Sequence, residues 1–163
     1  MRRTDREEAF SEFVAARQAH LRRIAYALCG DWHRAEDLLQ ASLIKLYLAW
    51  GRIEHDGREE AYVRKIMVRT NIDESRRPWR REYASDRLPE HAAAEGLAVE
   101  ERSALFAALH SLPEQQRKVV VLRHWLGLSV RETAAELRIS EGTVKSHSSR
   151  GLSTLEGVLA PHR

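Results

Sequence analysis

Helical spacing of the apolar residues is the feature that most limits the fold of this chain. In the first half they recur every three or four residues, and no segment alternates apolar and polar residues as a strand would. The first stripe comprises Phe10, Phe13, Val14, Leu21, Ile24, Ala25 and Leu28. This stripe predicts a helix that begins at a capping box formed by Thr4 and Glu7 and ends at Gly30.

Two more helices are predicted before residue 80. Asp31 is suited to cap the second helix, which ends at Gly51. Its core-facing residues are Trp32, Ala35, Leu39, Leu43, Leu46, Tyr47 and Trp50. After a polar loop, the third helix is predicted from about Glu59 to Arg77, because Pro78 disfavours helical backbone in the residue before it.

The second half of the chain predicts a helix-turn-helix. Ser129 and Glu132 form a capping-box pattern before a short helix that extends to Leu137. The segment Ser140-Glu141-Gly142-Thr143 then predicts a turn into a last helix, which runs to about Leu159. A short helix, a tight turn and a longer helix are typical of this motif.

The distribution of charge separates the two helical regions. The net charge of the 163 residues is only +3, but residues 62–82 hold seven basic and three acidic residues, whereas residues 83–101 hold five acids and one arginine. The acidic stretch also contains Pro89 and Gly96 and lacks an apolar stripe, so it predicts a linker. We therefore predict an all-α protein with two small helical domains, residues 1–80 and 103–163, joined by an acidic linker at 81–102.

The composition excludes several classes of protein. No apolar run approaches the roughly 20 residues of a membrane-spanning helix, and the amino-terminal residues lack the features of a secretion signal. The one cysteine, Cys29, fits a reducing compartment such as the cytoplasm. The eight histidines are scattered, and the sequence lacks zinc-ligand spacing, a phosphate-binding glycine loop and a nucleophile elbow. We expect a protein that is not an enzyme, with no cofactor, no metal and no membrane contact.

The outer face of the last helix is small, hydroxylic and basic. Ser146, Ser149 and Arg150 lie on this face, with Thr143 and Lys145 at its rim. Short side chains let a helix approach a major groove closely, an arginine pairs bidentately with guanine, and a lysine neutralises a phosphate. The face therefore predicts DNA recognition. The alternative is an ordinary solvated face of a helical bundle.

The second helix has a second apolar face, separate from its core-facing stripe. Ile44 and Leu48 lie there, beside Asp37 and Gln40. Surface helices seldom expose such a stripe without a partner, and acid, amide and aliphatic groups together suit a basic helical partner. The alternative is that another helix of the same domain covers this face.

A basic stripe follows on the third helix. Lys65, Arg69 and Arg76 share one face, and Arg77, Trp79, Arg80 and Arg81 extend the positive surface beyond it. Because the second half of the chain also carries a DNA-binding type of motif, the helix-turn-helix, this stripe indicates nucleic-acid binding. A solvated basic face is the alternative.

With both halves considered, the chain resembles the extracytoplasmic-function (ECF, group IV) sigma factors of bacterial RNA polymerase, particularly the short, sigma-E-like actinobacterial kind. The resemblance spans about residues 10–159. Its most specific segments are Leu28-Cys29-Gly30-Asp31-Trp32, Ala35-Glu36-Asp37-Leu38-Leu39-Gln40, Arg76-Arg77-Pro78-Trp79-Arg80-Arg81, Leu112-Pro113-Glu114-Gln115-Gln116-Arg117 and Ser140-Glu141-Gly142-Thr143-Val144-Lys145-Ser146. Five weak motifs in family order make a strong signal.

The resemblance implies a sigma-2 domain before the linker, a sigma-4 domain after it, and a role as the specificity subunit that promotes melting at the minus-ten element. It implies contact with the coiled coil of the polymerase beta-prime subunit through Asp37, Gln40, Ile44 and Leu48. The minus-ten DNA would be contacted by His55, Asp56, Arg58, Lys65, Arg69, Asn71, Arg76, Arg77, Trp79 and Arg80. The minus-35 DNA would be contacted by Thr143, Lys145, Ser146, Ser149 and Arg150.

Further partners implied by the resemblance are the beta flap of core polymerase and an anti-sigma factor, and the implied location is the nucleoid.

The sequence departs from the family pattern at three places. Arg69 aligns with a family Asn, Arg138 stands where the turn of the helix-turn-helix usually has a Gly that favours left-handed backbone, and Ser148-Ser149 replace bulkier residues.

Two other functions compete with this interpretation. A transcriptional regulator with a LuxR-type output domain would share the segment Thr143-Val144-Lys145-Ser146-His147, but it would need a receiver or ligand domain, and residues 1–100 lack the required strands. A protein-interaction adaptor would explain the second stripe of the second helix but not two separate basic surfaces.

Overall fold

The computed structural model describes residues 2–53, 57–75 and 104–160. These residues form seven α-helices and no β-strand, so the predicted all-α class is confirmed. The chain divides into two compact units, Met1–Arg87 and Leu88–Arg163. The predicted linker at 81–102 lies outside the described residues, so its limits stay a prediction.

The described residues of the first unit form three helices: α1 (Arg3–Cys29), α2 (Trp32–Ala49), which continues into a short 3-10 turn at Trp50–Arg52, and α3 (Glu59–Ser75). Only Gly30 and Asp31 separate α1 from α2. Gly30 adopts left-handed backbone with φ 73°, and its N–H donates to the Tyr26 carbonyl at 3.0 Å. The Asp31 carboxylate accepts the His33 N–H at 2.9 Å. Both predicted helix boundaries are therefore confirmed.

The predicted capping box at Thr4 is wrong. The first helix begins at Arg3, with Arg2 as its N-cap and no side-chain cap hydrogen bond, so Thr4 already has helical backbone. Glu7 instead accepts from Arg3 Nε at 3.4 Å, one helical turn away.

The first two helices pack antiparallel. Phe10, near the start of α1, stacks edge-on against Tyr47 and Trp50 at the end of α2, with ring centroids 5.2 and 5.5 Å apart. At the other end, Arg22 Nε donates to Glu36 Oε1 at 2.6 Å. The largest buried side chains between the three helices are Leu21, Ile24, Leu28, Leu38, Leu39, Leu46, Val63 and Met67. Tyr47 was predicted in the core but is 46% exposed, with Phe10 packed against its ring.

The third helix runs parallel to α1, since Glu60 lies beside His20 and Asn71 beside Cys29. Glu60 holds the start of α3 against α1. Its carboxylate is 3.3 Å from His20 Nε2, 3.1 Å from Arg64 Nη2 and 3.8 Å from Arg17 Nη1. The pKa of His20 is lowered from its ordinary value by burial, against the raising effect of Glu60. Three arginines, Arg64, Arg23 and Arg17, lower it further.

In the second unit, residues 104–160 form four helices: α4 (Ala104–Ser111), α5 (Glu114–Val120), α6 (Val130–Leu137) and α7 (Glu141–Leu159). The end of α5 widens into a π turn at Val121–Trp125, where the Leu126 N–H donates to the Val121 carbonyl at 2.9 Å. Arg123 Nη1 closes the following loop by donating to the Leu128 carbonyl at 2.6 Å.

Close approach of α7 to α5 forms the core of the second unit. Gly151 is buried against Val120, and a Cβ added to Gly151 would lie only 2.6 Å from Val120 Cγ2. Val144 and Leu155 are buried on the same side of α7. Leu152 and Leu159 lie beside this strip and are 36% and 41% exposed, so the buried side of α7 is narrow.

Replacing Gly151 by Ala is expected to destabilise the second unit. The new methyl group must displace the β-branched Val120, at a cost of about 1–3 kcal/mol, and the gain in helix propensity of about 1 kcal/mol offsets only part of it. Gly157→Ala is the matched control, because Gly157 is in the same helix with nothing within 4 Å of its added Cβ. Chemical denaturation should give Gly151→Ala a lower free energy of unfolding than Gly157→Ala. Equal values would mean that α5 and α7 separate without cost.

The His20 cluster is expected to make the first unit less stable in acid. Because folding lowers the pKa of His20, the unfolded chain takes up its proton first, and stability that is present above the ordinary pKa of 6.5 is lost as the pH falls below it. His20→Gln removes this titration. Thermal unfolding between pH 7.5 and pH 5 should therefore depend less on pH in His20→Gln than in the exposed-residue control His33→Gln. The same pH dependence in both variants would contradict the assignment.

Candidate nucleic-acid and polymerase interfaces

The outer face of α2 carries the residues predicted to contact polymerase. Asp37 and Gln40 are exposed, and the aliphatic side chains of Ile44 and Leu48 are 62% and 72% exposed. The alternative that another helix of this unit covers Ile44 and Leu48 is contradicted by their exposure. A surface of this kind exposes apolar side chains to water until a partner covers them, and so marks an interaction site.

The spacing along this face suits a helical partner. Asp37, Ala41, Ile44 and Leu48 follow one another at steps of four, three and four residues, which is the spacing of a coiled-coil seam. We call these four residues, with Gln40 at their edge, the α2 stripe. A second helix packed along the stripe would cover the two exposed aliphatic side chains and face the Asp37 carboxylate.

Two basic residues of α3 lie on its solvent side. Lys65 and Arg69 are exposed one turn apart, and Arg58 is exposed in the segment that leads into the helix. The other predicted minus-ten residues lie outside the described residues: His55, Asp56, Arg76, Arg77, Trp79 and Arg80. The described part of the surface is therefore a short basic stripe formed by Arg58, Lys65 and Arg69.

The prediction that Asn71 contacts DNA is wrong. Asn71 is only 2% exposed, and its Nδ2 donates to Cys29 Sγ at 3.5 Å. The spacing of Val63, Met67 and Asn71 puts all three on the core side of α3, whereas Arg69 is about 160° away around the helix. That spacing was visible in the sequence and would have identified Asn71 as a core residue.

The turn of the helix-turn-helix has capped ends. The Ser129 hydroxyl accepts the Glu132 N–H at 3.0 Å and Glu132 Oε1 accepts the Ser129 N–H at 2.9 Å, so the predicted capping box is confirmed. The first helix of the motif, α6, ends at Arg138, which has left-handed backbone with φ 55° and ψ 48°. The Ser140 hydroxyl then caps α7 by accepting the Thr143 N–H at 3.0 Å. Arg138 thus adopts the left-handed backbone that the family resemblance led us to expect at this turn, with a side chain in place of Gly.

The outward side of α7 presents the predicted DNA-reading residues. Lys145, Ser146, Ser149 and Arg150 are exposed. Thr143 is half-buried, and its Oγ1 is 2.8 Å from the Ser140 Oγ, so its hydroxyl takes part in the helix cap. The arrangement leaves four side chains that extend from one helix toward solvent, with two positive charges among them.

Two further features of the second unit escaped the sequence interpretation. His124 Nε2 lies 2.8 Å from the Ser148 Oγ and so ties the π turn to α7. An apolar groove of about 450 Å³ opens between α4, α5 and α7. Its walls are Leu105, Leu109, Val120, Val121, His124, Trp125, Leu152 and Leu155. Exposed Leu105 and Leu152 would have been the sequence signal, since they are apolar residues beyond the buried faces of their helices.

Within residues 2–53, 57–75 and 104–160, no group of three or more His, Cys, Asp or Glu side chains is arranged to hold a metal ion. In the same part of the chain, no helix combines the length and apolar character needed to cross a membrane.

Family models match both halves of the chain. Residues 13–81 match Sigma-70 region 2, and residues 102–155 match Sigma-70, region 4. The first match contains the α2 stripe and the basic residues of α3, and the second contains the helix-turn-helix. A LuxR-type regulator is therefore not favoured.

Relatives agree with these matches over nearly the whole chain. The RNA polymerase sigma-E factor of Streptomyces coelicolor is 40% identical over 92% of this chain and 85% of its own length. The ECF RNA polymerase sigma factor SigE of Mycolicibacterium smegmatis is 33% identical over 94% of this chain and 63% of its own length. Among solved structures, the sigma factor RpoE of Bartonella quintana, crystallised with the anti-sigma factor NepR, is 26% identical with a TM-score of 0.63. That match covers 96% of this chain and 99% of RpoE.

The matches to both sigma-70 regions and the identity to curated sigma factors confirm the family resemblance. The chain belongs to the ECF sigma factors of bacterial RNA polymerase, which direct the enzyme to specific promoters at the start of transcription.

Proposed function

We propose that the two units of this sigma factor bind different targets. Residues 1–80 bind core polymerase and minus-ten DNA, and residues 103–163 bind minus-35 DNA. The observation that carries the proposal is the exposure of Ile44 and Leu48 on a helix whose other side is buried in the core. Such a helix needs a partner in its working state, and the separate exposed face of α7 supplies a second binding surface.

Core polymerase docks on the α2 stripe. The partner is a helix of the beta-prime coiled coil. Aliphatic side chains of that helix pack on Ile44 and Leu48, and one of its basic side chains faces Asp37. Burial of two exposed aliphatic side chains contributes about 1.5–3 kcal/mol for each one that is fully covered. The apolar groove bounded by Leu105 and Leu152 supplies a second contact in the other unit, for the beta flap.

Promoter DNA binds in two places. Residues 52–60 and the exposed Lys65 and Arg69 receive the minus-ten element, where extruding a base costs a few kcal/mol that pocket and phosphate contacts offset. The outward side of α7 enters the major groove of the minus-35 element. There Arg150 reads a guanine, Lys145 contacts a phosphate, and Ser146 and Ser149 allow the helix backbone to come close.

The protein acts by binding and performs no bond chemistry of its own. The polymerase supplies catalysis, and the sigma factor supplies promoter choice and assistance in melting the minus-ten element. Its place of action is the nucleoid in the cytoplasm, where the polymerase meets the chromosome. An anti-sigma factor holds it inactive until release, a proposal supported by the binding of NepR to the related RpoE.

In vitro transcription with purified core polymerase tests the whole proposal. The protein added to core should produce transcripts from a subset of a promoter library, and it should co-elute with core in the absence of DNA. Transcripts that are the same with and without the protein, together with no co-elution, would reject it. Binding to duplex DNA without any contact with core would instead indicate a repressor or activator.

Asp37→Lys is expected to weaken binding to core polymerase by about tenfold or more, because it reverses a charge that faces a basic partner. The fold should remain intact, since the Asp37 side chain is exposed. Glu12→Lys makes the same charge change at an exposed position of α1 and is the control. Affinity for core is measured by fluorescence anisotropy without DNA. Equal affinity of both variants would remove Asp37 from the interface.

Arg150→Ala is expected to reduce discrimination at one base pair of the minus-35 element by about 1–3 kcal/mol. A library of single-base promoter variants, transcribed with the wild type and with Arg150→Ala, measures the effect. Lys145→Ala should instead weaken all promoters alike and lower the dependence of binding on salt. Uniform losses from Arg150→Ala would show that its guanidinium contacts only the DNA backbone.

A further inference from the structure

A basic hollow lies at the end of α2, where the first two turns of α1 pack against the Trp50–Arg52 turn. Its volume is about 540 Å³. The residues that line it are Arg3, Arg6, Glu7, Tyr47, Leu48, Trp50, Gly51 and Arg52. Leu48 belongs to the α2 stripe as well, so the hollow continues the surface that we assigned to the polymerase.

The hollow contains an excess of positive charge. Three guanidiniums face one carboxylate, and Arg3 Nε pairs with that carboxylate, Glu7 Oε1, at 3.4 Å. Within the described part of the chain, Arg6 and Arg52 make no ion pair with an acid. Two guanidiniums that share a hollow without acidic partners favour the binding of a carboxylate or a phosphate.

Gly51 gives Arg6 its position. The Arg6 guanidinium lies across Gly51, and its Nη1 is 3.0 Å from where a Cβ of residue 51 would be. A larger residue at 51 would push the guanidinium away from the wall of the hollow. The missing side chain of Gly51 therefore leaves room for the Arg6 guanidinium in the hollow that Arg52 also lines.

From these contacts we infer that the hollow binds carboxylate side chains of the same helical partner that packs on the α2 stripe. This inference rests on the proposed docking of polymerase on that stripe. Along α2 the surface changes from acidic at Asp37, through aliphatic at Ile44 and Leu48, to basic at Arg6 and Arg52. A partner helix that matches this order has a basic end and an acidic end, and only one direction of packing pairs both ends with opposite charges.

The walls of the hollow favour a protein partner over single-stranded DNA. Sites for single strands combine positive charge with exposed aromatic rings on which bases stack. Here Trp50 is 4% exposed, so of the two aromatic residues that line the hollow only Tyr47, which is 46% exposed and has Phe10 against it, could stack on a base. The largest exposed apolar wall is Leu48, an aliphatic side chain that suits the apolar residues of a helix.

Charge reversal in the hollow tests the inference with the full-length protein and purified core polymerase. Arg6→Glu and Arg52→Glu should each weaken binding to core about tenfold without DNA, with a smaller loss at high salt. Arg2→Glu is the matched control, since Arg2 is exposed at the start of α1 and does not line the hollow, and its affinity should stay within twofold of the wild type. Thermal unfolding checks that each variant is folded, and Arg6→Gln and Arg52→Gln replace any variant that is not.

The outcomes separate this inference from the proposed function. Unchanged core binding in Arg6→Glu and Arg52→Glu, with weakened binding in Asp37→Lys, would overturn the carboxylate site and leave the docking on the α2 stripe. Unchanged core binding in all three variants would overturn both. Normal core binding with a loss confined to promoter opening would mean that the hollow binds DNA phosphates, which also overturns the inference.

Discussion

Antiparallel packing of α1 on α2 is the constraint on which the first unit depends. Gly30 and Asp31 reverse the chain in two residues, so the two helices must lie side by side along their whole common length. One side of α2 is then used by the core, and the other side has to face solvent. The same reversal returns the start of α1 to the end of α2, where Phe10 covers Trp50. The exposed stripe and the basic hollow are thus two results of a single turn.

The second unit depends on a different device, the missing side chain of Gly151. Without a Cβ, α7 contacts Val120 closely, and the buried side of the helix needs only a narrow strip of apolar residues. The remaining circumference is left for polar side chains that extend outward. His124 adds a polar contact to Ser148 at the edge of this strip, so the rotation of α7 about its axis is fixed from two directions. A helix that reads DNA needs such a fixed rotation, because a small turn would exchange the residues that face the groove.

Local signals in the sequence predicted the local features of the structure. A glycine with a capping acid after it marked the junction at Gly30 and Asp31, and serine with glutamate marked the capping box at Ser129. Features that depend on contacts between distant residues were not predictable in this way. Thr4 had a capping pattern, but the chain was already helical before it. Asn71 was assigned to the DNA surface from the family resemblance, although its helical spacing with Val63 and Met67 already indicated the core side, where it contacts Cys29, 42 residues earlier in the chain. The basic hollow joins the first residues of α1 to the turn after α2, so no single segment of the sequence reveals it.

The left-handed backbone at Arg138 has a consequence for what the turn of the helix-turn-helix offers to its surroundings. A residue with a Cβ in this conformation costs about 1–2 kcal/mol relative to right-handed helix, so the capped helices on either side have to offset that cost. A glycine would avoid the cost, but it would present only backbone to the solvent. Arginine at this position instead provides an exposed guanidinium two residues before the N-cap of α7. Arg138 thus lowers the folding stability of the domain slightly and adds an exposed positive charge at its turn.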